Sequence, residues 1–437
     1  MTDKTFAELP YAFPHDKVLS LKVARSRVQL LSGFNPVKYH CCLNSCCCYV
    51  GPYEGADECP YCNEPHYHPK TKKPWKVFTY LPLIPRLKAL YSNAELSKEM
   101  HYRADEHQHE PGHYTDIFDG EIYQNLLGKH VIIDDKEARH TYFSGTHDLA
   151  LGLTTDGFGP FKHRKSMAWP LILFNYNLPP DVWVHIGHII PLGVIPGPKK
   201  PHNFDSFLWP AVMEFLQLQL GVKAWDAYTK ELFMLRAYLI LVFGDIPAIS
   251  MVMRMTGHNG FLPCRMCKIH GVRVPNARYS TNYVPLDRSQ HLDTLASASE
   301  VSAYDPANLP LRTAEEMLNQ AQEVQSARTA ADGKRLSRKY GIKGIPIFSY
   351  LKLLSFPWSF PYNFMHLIWE NLIPNLLLLW TASFKGLDTG IEDYTINNNV
   401  FDAIAAATVA TGSTIPSAFG ARQPNFRIHK SACLAET

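Results

Sequence analysis

The 437-residue sequence has no run of about 18 uninterrupted apolar residues, the length a helix needs to cross a bilayer, so no membrane span is expected. Its most apolar segment, Leu367 to Leu379, is broken by Glu370, Asn371, Pro374 and Asn375 and reads as a buried helix. The opening residues MTDKTFAELPYAF hold acids and a proline but no apolar stretch, which does not read as a secretory signal. Charge of one sign is also scarce. A formal net charge of +3 is too small to argue for nucleic acid, so any case for DNA binding rests on local clusters of cations. There is no internal repeat, and the aromatic residues are scattered rather than gathered into a stacking platform. Cysteine is present but unevenly: seven of ten lie between Cys41 and Cys62, two are Cys264 and Cys267, and one is Cys433. Close pairs in a chain with no secretory context point to zinc before disulfides.

Apolar residues make up 46% of the chain, enough for a sizeable core, and the length suits two or three domains. Residues 1–75 read as a small metal-stapled module. Residues 76–145 read as a connector of helices and polar loop, with Glu106 to Asp116 solvated and irregular. From Leu149 the texture changes. Leu149, Leu151 and Leu153 alternate, Trp169 to Leu178 is nearly continuous apolar sequence, and Ile189 to Gly197 is a third strand candidate. Apolar residues then recur at helical spacing from Phe204 to Leu216, with Asp205 or Ser206 as a cap; Ala237 to Asp245 reads as a fourth strand, and Pro247 opens a helix. Three strands, a helix, a strand and more helix predict an α/β fold with a mixed sheet over residues 146–255. Residues 256–350, with a polar stretch, a helix from Thr313 to about Ala331 and a basic run, read as an insertion. Residues 351–437 return to the core, with a helix over Asn363 to Trp380.

Three acids stand out by position. Asp156 closes the first strand, Asp245 closes the fourth, and Glu370 lies in the later helix. Phosphodiester chemistry needs grouped carboxylates to hold two divalent ions about 3.5–4 Å apart, and hard oxygen ligands suit magnesium or manganese. Each acid also has a plainer reading: a turn at Asp156-Gly157, a helix cap at Asp245, a helix-surface acid at Glu370. The cysteines speak more clearly. Cys42-x3-Cys46 and Cys59-x2-Cys62 supply four thiolates for a tetrahedral zinc site, with His40, Cys41, Cys47, Cys48 and His66 as spare ligands. Cys264 and Cys267 form a second zinc candidate that His258, His270 or His291 would complete. Lys334, Arg335, Arg338, Lys339 and Lys343 form a basic run able to track a DNA backbone.

Several strings are similar to transposases of fungal CACTA-related (En/Spm-like) elements, including the Plavaka group: CCLNSCCCYVGPY with ECPYCNEPHY, TDIFDGEIYQNLLG, LALGLTTDGF, WPLILFNYNLPP, LGVIPGPKKP with DSFLWP, LRAYLILVFGDIPAISMVMRMTGHNG, PCRMCKIHGVRVP and FMHLIWENLIPN. The resemblance implies an RNase H-like catalytic core interrupted by a large insertion and preceded by a zinc module. It implies a DDE triad that maps to Asp156, Asp245 and Glu370, with magnesium or manganese as catalytic cofactor and zinc as structural metal. The implied partners are transposon ends and target DNA, met by a homo-oligomer in the nucleus. Two departures stand against full activity. Relatives carry Asp before the Phe-Met-His string, where this chain has Asn363, and the string from Ile415 begins as theirs does and then stops, as in a C-terminally truncated copy. The competing readings are a non-catalytic, zinc-stapled DNA-binding remnant and, less well supported, a zinc hydrolase.

Overall fold

A computed structural model of the chain describes residues 3–15, 17–32, 34–160, 166–273, 282–295, 301–384 and 393–414. Cys433 and the string from Ile415 lie outside the described residues. The chain forms two compact units, Met1–Pro361 and Tyr362–Thr437. Among the described residues no helix is long and apolar enough to cross a membrane.

The first unit is built on a six-stranded sheet. Its strands, in chain order, are β1 (Val37–Cys41), β2 (Lys76–Tyr80), β3 (Leu149–Thr155), β4 (Ala168–Asn175), β5 (Ile190–Pro196) and β6 (Ala237–Phe243). Across the sheet they run β1-β2-β5-β4-β3-β6. Strands β3, β4 and β5 form an antiparallel meander. The chain then passes through the Asp205–Leu220 helix and a hairpin of Val222–Asp226 with Glu231–Leu235, and returns as β6, parallel to β3 on its far side. A parallel neighbour requires a crossover of this kind. All of β3 except Thr154 is buried, so the leucine alternation marks a central strand covered on both faces. Phe207, Leu208, Ala211, Val212, Phe215 and Leu218 form the buried stripe of the 205–220 helix.

The mixed α/β sheet and the four core strands agree with the sequence expectation to within a few residues. The first two strands were not legible, and they carry the sheet across residue 75 into the cysteine-rich segment: β1 pairs with β2, and Tyr80 of β2 pairs with Gly193 of β5. Gly193 has φ 149°, and a Cβ there would lie 2.6 Å from the Thr79 carbonyl, so this junction admits only glycine.

Four local expectations need correction. Neither Asp205 nor Ser206 caps the 205–220 helix by its side chain; Asn203 does the work, its Oδ1 accepting the Ser206 N–H at 3.0 Å. The helix expected from Thr313 to about Ala331 is two, Ala314–Gln325 and Ala330–Tyr340, because Thr329 caps a new start through the Asp332 N–H. In the second unit the Asn363–Trp380 helix opens with a π turn, Met365–Leu372, before Ile373–Trp380; Pro374 has no N–H to give to the ordinary i−4 carbonyl. Finally, the 106–116 stretch is irregular but not merely solvated. His107 Nε2 and His109 Nδ1 lie 3.1 and 2.9 Å from one oxygen of buried Asp119, whose other oxygen accepts the Thr115 and Asp116 N–H groups.

Candidate active site and metal centres

In the register of β3 with β6, Phe243 stands opposite Thr154. Two residues on, Asp156 and Asp245 therefore leave the carboxyl ends of adjacent parallel strands at the same level. Neighbouring strands are about 4.8 Å apart, and Gly244 keeps them close, since a Cβ there would strike the Thr155 carbonyl. Both acids are partly exposed. One oxygen of each is oriented by backbone: Asp156 Oδ1 accepts the Gly157 N–H at 2.6 Å and Asp245 Oδ1 the Ala248 N–H at 2.5 Å. Asp245 is thus the N-cap of the Ile246–Val252 helix, whereas no turn forms at Asp156-Gly157, against the plainer reading of Asp156. The helix-cap reading holds for Asp245, and the fold also sets the two residues side by side at the strand ends from 89 residues apart in sequence. Glu370 lies in the second unit, where His366 Nδ1 holds Oε2 at 2.7 Å across one turn of helix. Asn363 accepts the His366 N–H at 3.2 Å, so its amide serves as a cap.

Cys42, Cys46, Cys59 and Cys62 offer sulfurs that all lie within 4.8 Å of one another. Four sulfurs about 2.3 Å from a shared zinc would sit about 3.8 Å apart, so the set fits one tetrahedral ion. Each pair is bent into a knuckle by a residue in the left-handed region, Ser45 at φ 59° and Asn63 at φ 56°. Burial pushes the Cys42 thiol up to about 11. Burial acts on Cys62 too, but hydrogen bonds from the Glu64 N–H, the Asn44 amide and the neighbouring thiols bring it down to about 7. Of the spare ligands Cys47 stays beside the four, packed with them and hydrogen-bonded to Cys59, while the others are engaged elsewhere. Cys41 and Cys48 belong to the main core, and His40 Nδ1 meets His66 Nε2 at 3.0 Å. The knuckles dock on the end of β5 and the start of the 205–220 helix. The His202 and Asn203 N–H groups donate to the Cys46 carbonyl at 3.1 and 2.8 Å, and the Cys48 N–H donates to Ser206 Oγ at 2.9 Å.

The Cys264–Cys267 pair has the form of a thiolate knuckle, with the Met266 and Cys267 N–H groups both 3.3 Å from Cys264 Sγ. Among the described residues, however, no third cysteine, histidine or acid joins it. His291 Nε2 instead meets the Arg273 carbonyl at 2.8 Å, and the His270 ring packs on Phe261. Arg312, almost fully buried, holds this segment by donating to the carbonyls of Cys264, Cys267 and Tyr340.

The basic run divides in two. Lys334, Arg335, Arg338 and Lys339 stand exposed on the Ala330–Tyr340 helix, with Arg335 near Asp332 and Arg338 over the Phe261 ring. Lys343 lies beyond the helix and lines a cavity of about 440 Å³ with Tyr61, Lys200, His202, Asp205 and Arg254. Sequence reasoning missed Lys200 and Arg254, which only the fold brings beside Lys343. Their mutual repulsion shows in Lys343, whose ammonium is lowered by burial and then by Lys200 and Arg254. Asp205 is the lone acid of that lining, 3.8 Å from Arg254, and burial pushes its carboxyl up to about 7. An acid raised on folding favours the folded state only while protonated, so stability should decline as pH rises from about 4 to about 7. Asp205→Asn should flatten that decline in thermal melts taken across the range; an unchanged pH profile would remove Asp205 as its source.

Residues 133–322 match the family model described as Transposase family tnp2. The matched stretch holds Asp156, Asp245, Cys264 and Cys267 and supports a transposase family; it leaves out the four-cysteine knuckles and Glu370. No curated protein matches the chain.

Proposed function

We propose that this chain is the catalytic part of a DNA transposase of the DDE kind, acting on phosphodiester bonds at Asp156 and Asp245 with Glu370 as the third acid. The observation that carries the reading is the meeting of Asp156 and Asp245 at the ends of adjacent parallel strands. The strand order supports an RNase H-like core: an antiparallel meander, a helical crossover, then a strand parallel to the first. The tnp2 match spans those same strands. Oxygen donors fit magnesium or manganese, and Asp156 and Asp245 would hold such ions. When bound, a pair of these ions activates the attacking oxygen and stabilises the leaving one. The chain's own part is to fix the two carboxylates, through the Gly157 and Ala248 N–H groups, before DNA arrives. Zinc in the four-cysteine knuckles is structural in this reading, since a closed thiolate set leaves no position for substrate. A homo-oligomer acting in the nucleus follows from the same reading.

The test is nicking of supercoiled DNA, and of DNA bearing the element's ends, with and without magnesium or manganese. Metal-dependent nicking supports the proposal. DNA binding with no cleavage under any metal would favour the non-catalytic remnant, a reading that Asn363 also favours by standing where relatives carry an acid. The DNA backbone is assigned to the exposed basic helix face and to the Lys200, Arg254 and Lys343 cavity. Arg254→Ala with Lys343→Ala should weaken binding and reduce the slope of log affinity against log salt by about 0.9 per lost phosphate contact. An unchanged slope in fluorescence anisotropy would place the DNA elsewhere.

A further inference from the structure

At the other end of β3, far along the strand from Asp156, three side chains converge that neither the nuclease reading nor the cysteine knuckles use. His147 stands two residues before β3, Asp226 ends the first strand of the 222–235 hairpin, and His101 precedes the Tyr102–Asp105 turn of helix. His101 Nε2 and His147 Nε2 lie 3.1 and 2.8 Å from the same oxygen, Asp226 Oδ2. Their side chains are 8% and 16% exposed, and that of Asp226 is fully buried. We propose that His101, His147 and Asp226 bind a divalent transition-metal ion of the zinc class, with water as the fourth ligand.

The arrangement around the three groups is that of a prepared ligand set. Asp226 Oδ1 is taken by the Ser97 hydroxyl at 2.6 Å and by the Tyr228 and Thr229 N–H groups at 2.7 and 3.2 Å, which turns Oδ2 alone toward the imidazoles. Behind His101, Nδ1 faces Asp105 Oδ2 at 3.2 Å, the carboxylate–histidine pairing that holds a metal-binding ring in its tautomer. With its proton on Nδ1, a neutral His101 directs a lone pair from Nε2 at an oxygen lone pair of Asp226. That contact is repulsive unless a cation lies between them. Two ligand bonds of about 2.0–2.1 Å meeting at the tetrahedral angle separate their donor atoms by about 3.3 Å, a few tenths of an ångström beyond the 3.1 and 2.8 Å found here. The Phe233 ring stacks on His147 at 4.0 Å and the two imidazoles meet edge to face at 4.8 Å, so both rings are held. An ion here would staple the 94–105 segment and the 222–235 hairpin to the start of the central strand.

The alternative is an imidazolium at His101 clasped between Asp105 and Asp226 with no metal, and the two differ in composition. The full chain, purified without chelator, should hold two zinc atoms by elemental analysis, one in the cysteine knuckles and one here. His147→Gln should lose one and Cys59→Ser the other. Asp105→Asn keeps all three ligands and removes only the carboxylate behind His101. It should hold the second ion about 10–100-fold more weakly in competition with a chromophoric chelator, and it remains informative if His147→Gln fails to fold. One zinc atom in the wild-type chain, or a count unchanged in His147→Gln, or Asp105→Asn binding zinc as tightly as wild type, would overturn the proposal. This outcome is independent of DNA cleavage, so it stands or falls separately from the nuclease reading.

Discussion

Asp156→Asn is expected to abolish metal-dependent DNA cleavage while leaving DNA binding nearly intact. The amide keeps the shape and one oxygen, so the hydrogen bond from the Gly157 N–H survives, but the negative charge that would hold the ion is gone. Loss of one group that stabilises the transition state costs on the order of 10²–10³-fold in rate, and losing an ion as well should exceed that. Asp245 permits a finer separation, because it is both proposed ligand and helix cap. Asp245→Asn still offers an oxygen to the Ala248 N–H, so stability should hold while cleavage fails; Asp245→Ala should also lose about 1 kcal/mol of stability with the cap. Asn363→Asp is the gain-of-function companion. It introduces an acid at a position that keeps its capping bond to the His366 N–H in either form, so a rise in cleavage would reflect charge rather than folding. Equal cleavage by wild type and Asp156→Asn, measured as single-turnover nicking in manganese, would remove Asp156 from the mechanism.

What the sequence disclosed and what it hid divide along physical lines. The four core strands were legible because β3, β4, β5 and β6 are short apolar runs bounded by turn residues, and a central strand buried on both faces leaves that mark on composition. Asp156 and Asp245 were legible only as strand ends; their meeting depends on the parallel register, which no local pattern encodes. β1 and β2 were missed because VKYHC is a half-exposed edge strand and KVFTY, second in the sheet, is only five residues long with Phe78 and Tyr80 alone buried. Lys200, Arg254 and Lys343 come from three separate connections, and their shared cavity is a property of the fold. The cluster of His101, His147 and Asp226 was hidden for the same reason: no two of its members are near enough in sequence to form a spacing.

The four-cysteine knuckles lead to the second large effect. Stripping their metal should do more than unfold residues 35–70. Structural zinc contributes about 10–16 kcal/mol in small zinc modules, where binding and folding are one event, and here the module is part of the main sheet through β1 and β2. Its loops also reach the end of β5. The Ser45 hydroxyl donates to the Pro196 and Gly197 carbonyls, Lys76 Nζ to the Leu43 carbonyl at 2.6 Å, and the Asn203 amide to the Tyr53 and Tyr61 hydroxyls at 2.8 and 2.9 Å. Asn203 is the residue that caps the 205–220 helix, and His202 and Asp205 line the basic cavity. Metal loss should therefore travel from the knuckles into residues 196–206 and weaken DNA binding without touching Asp156 or Asp245. Hydrogen exchange should show protection lost over both 37–80 and 196–206 when Cys59→Ser is compared with wild type, together with a lower thermal midpoint. Using Cys59→Ser rather than a chelator leaves the His101, His147 and Asp226 cluster undisturbed. Exchange that changes only within 42–62 would show that the module folds on its own and that its zinc has no hold on the sheet. If the natively purified chain contains no zinc and Cys59→Ser melts as wild type does, the knuckles are buried thiols and the structural metal is refuted.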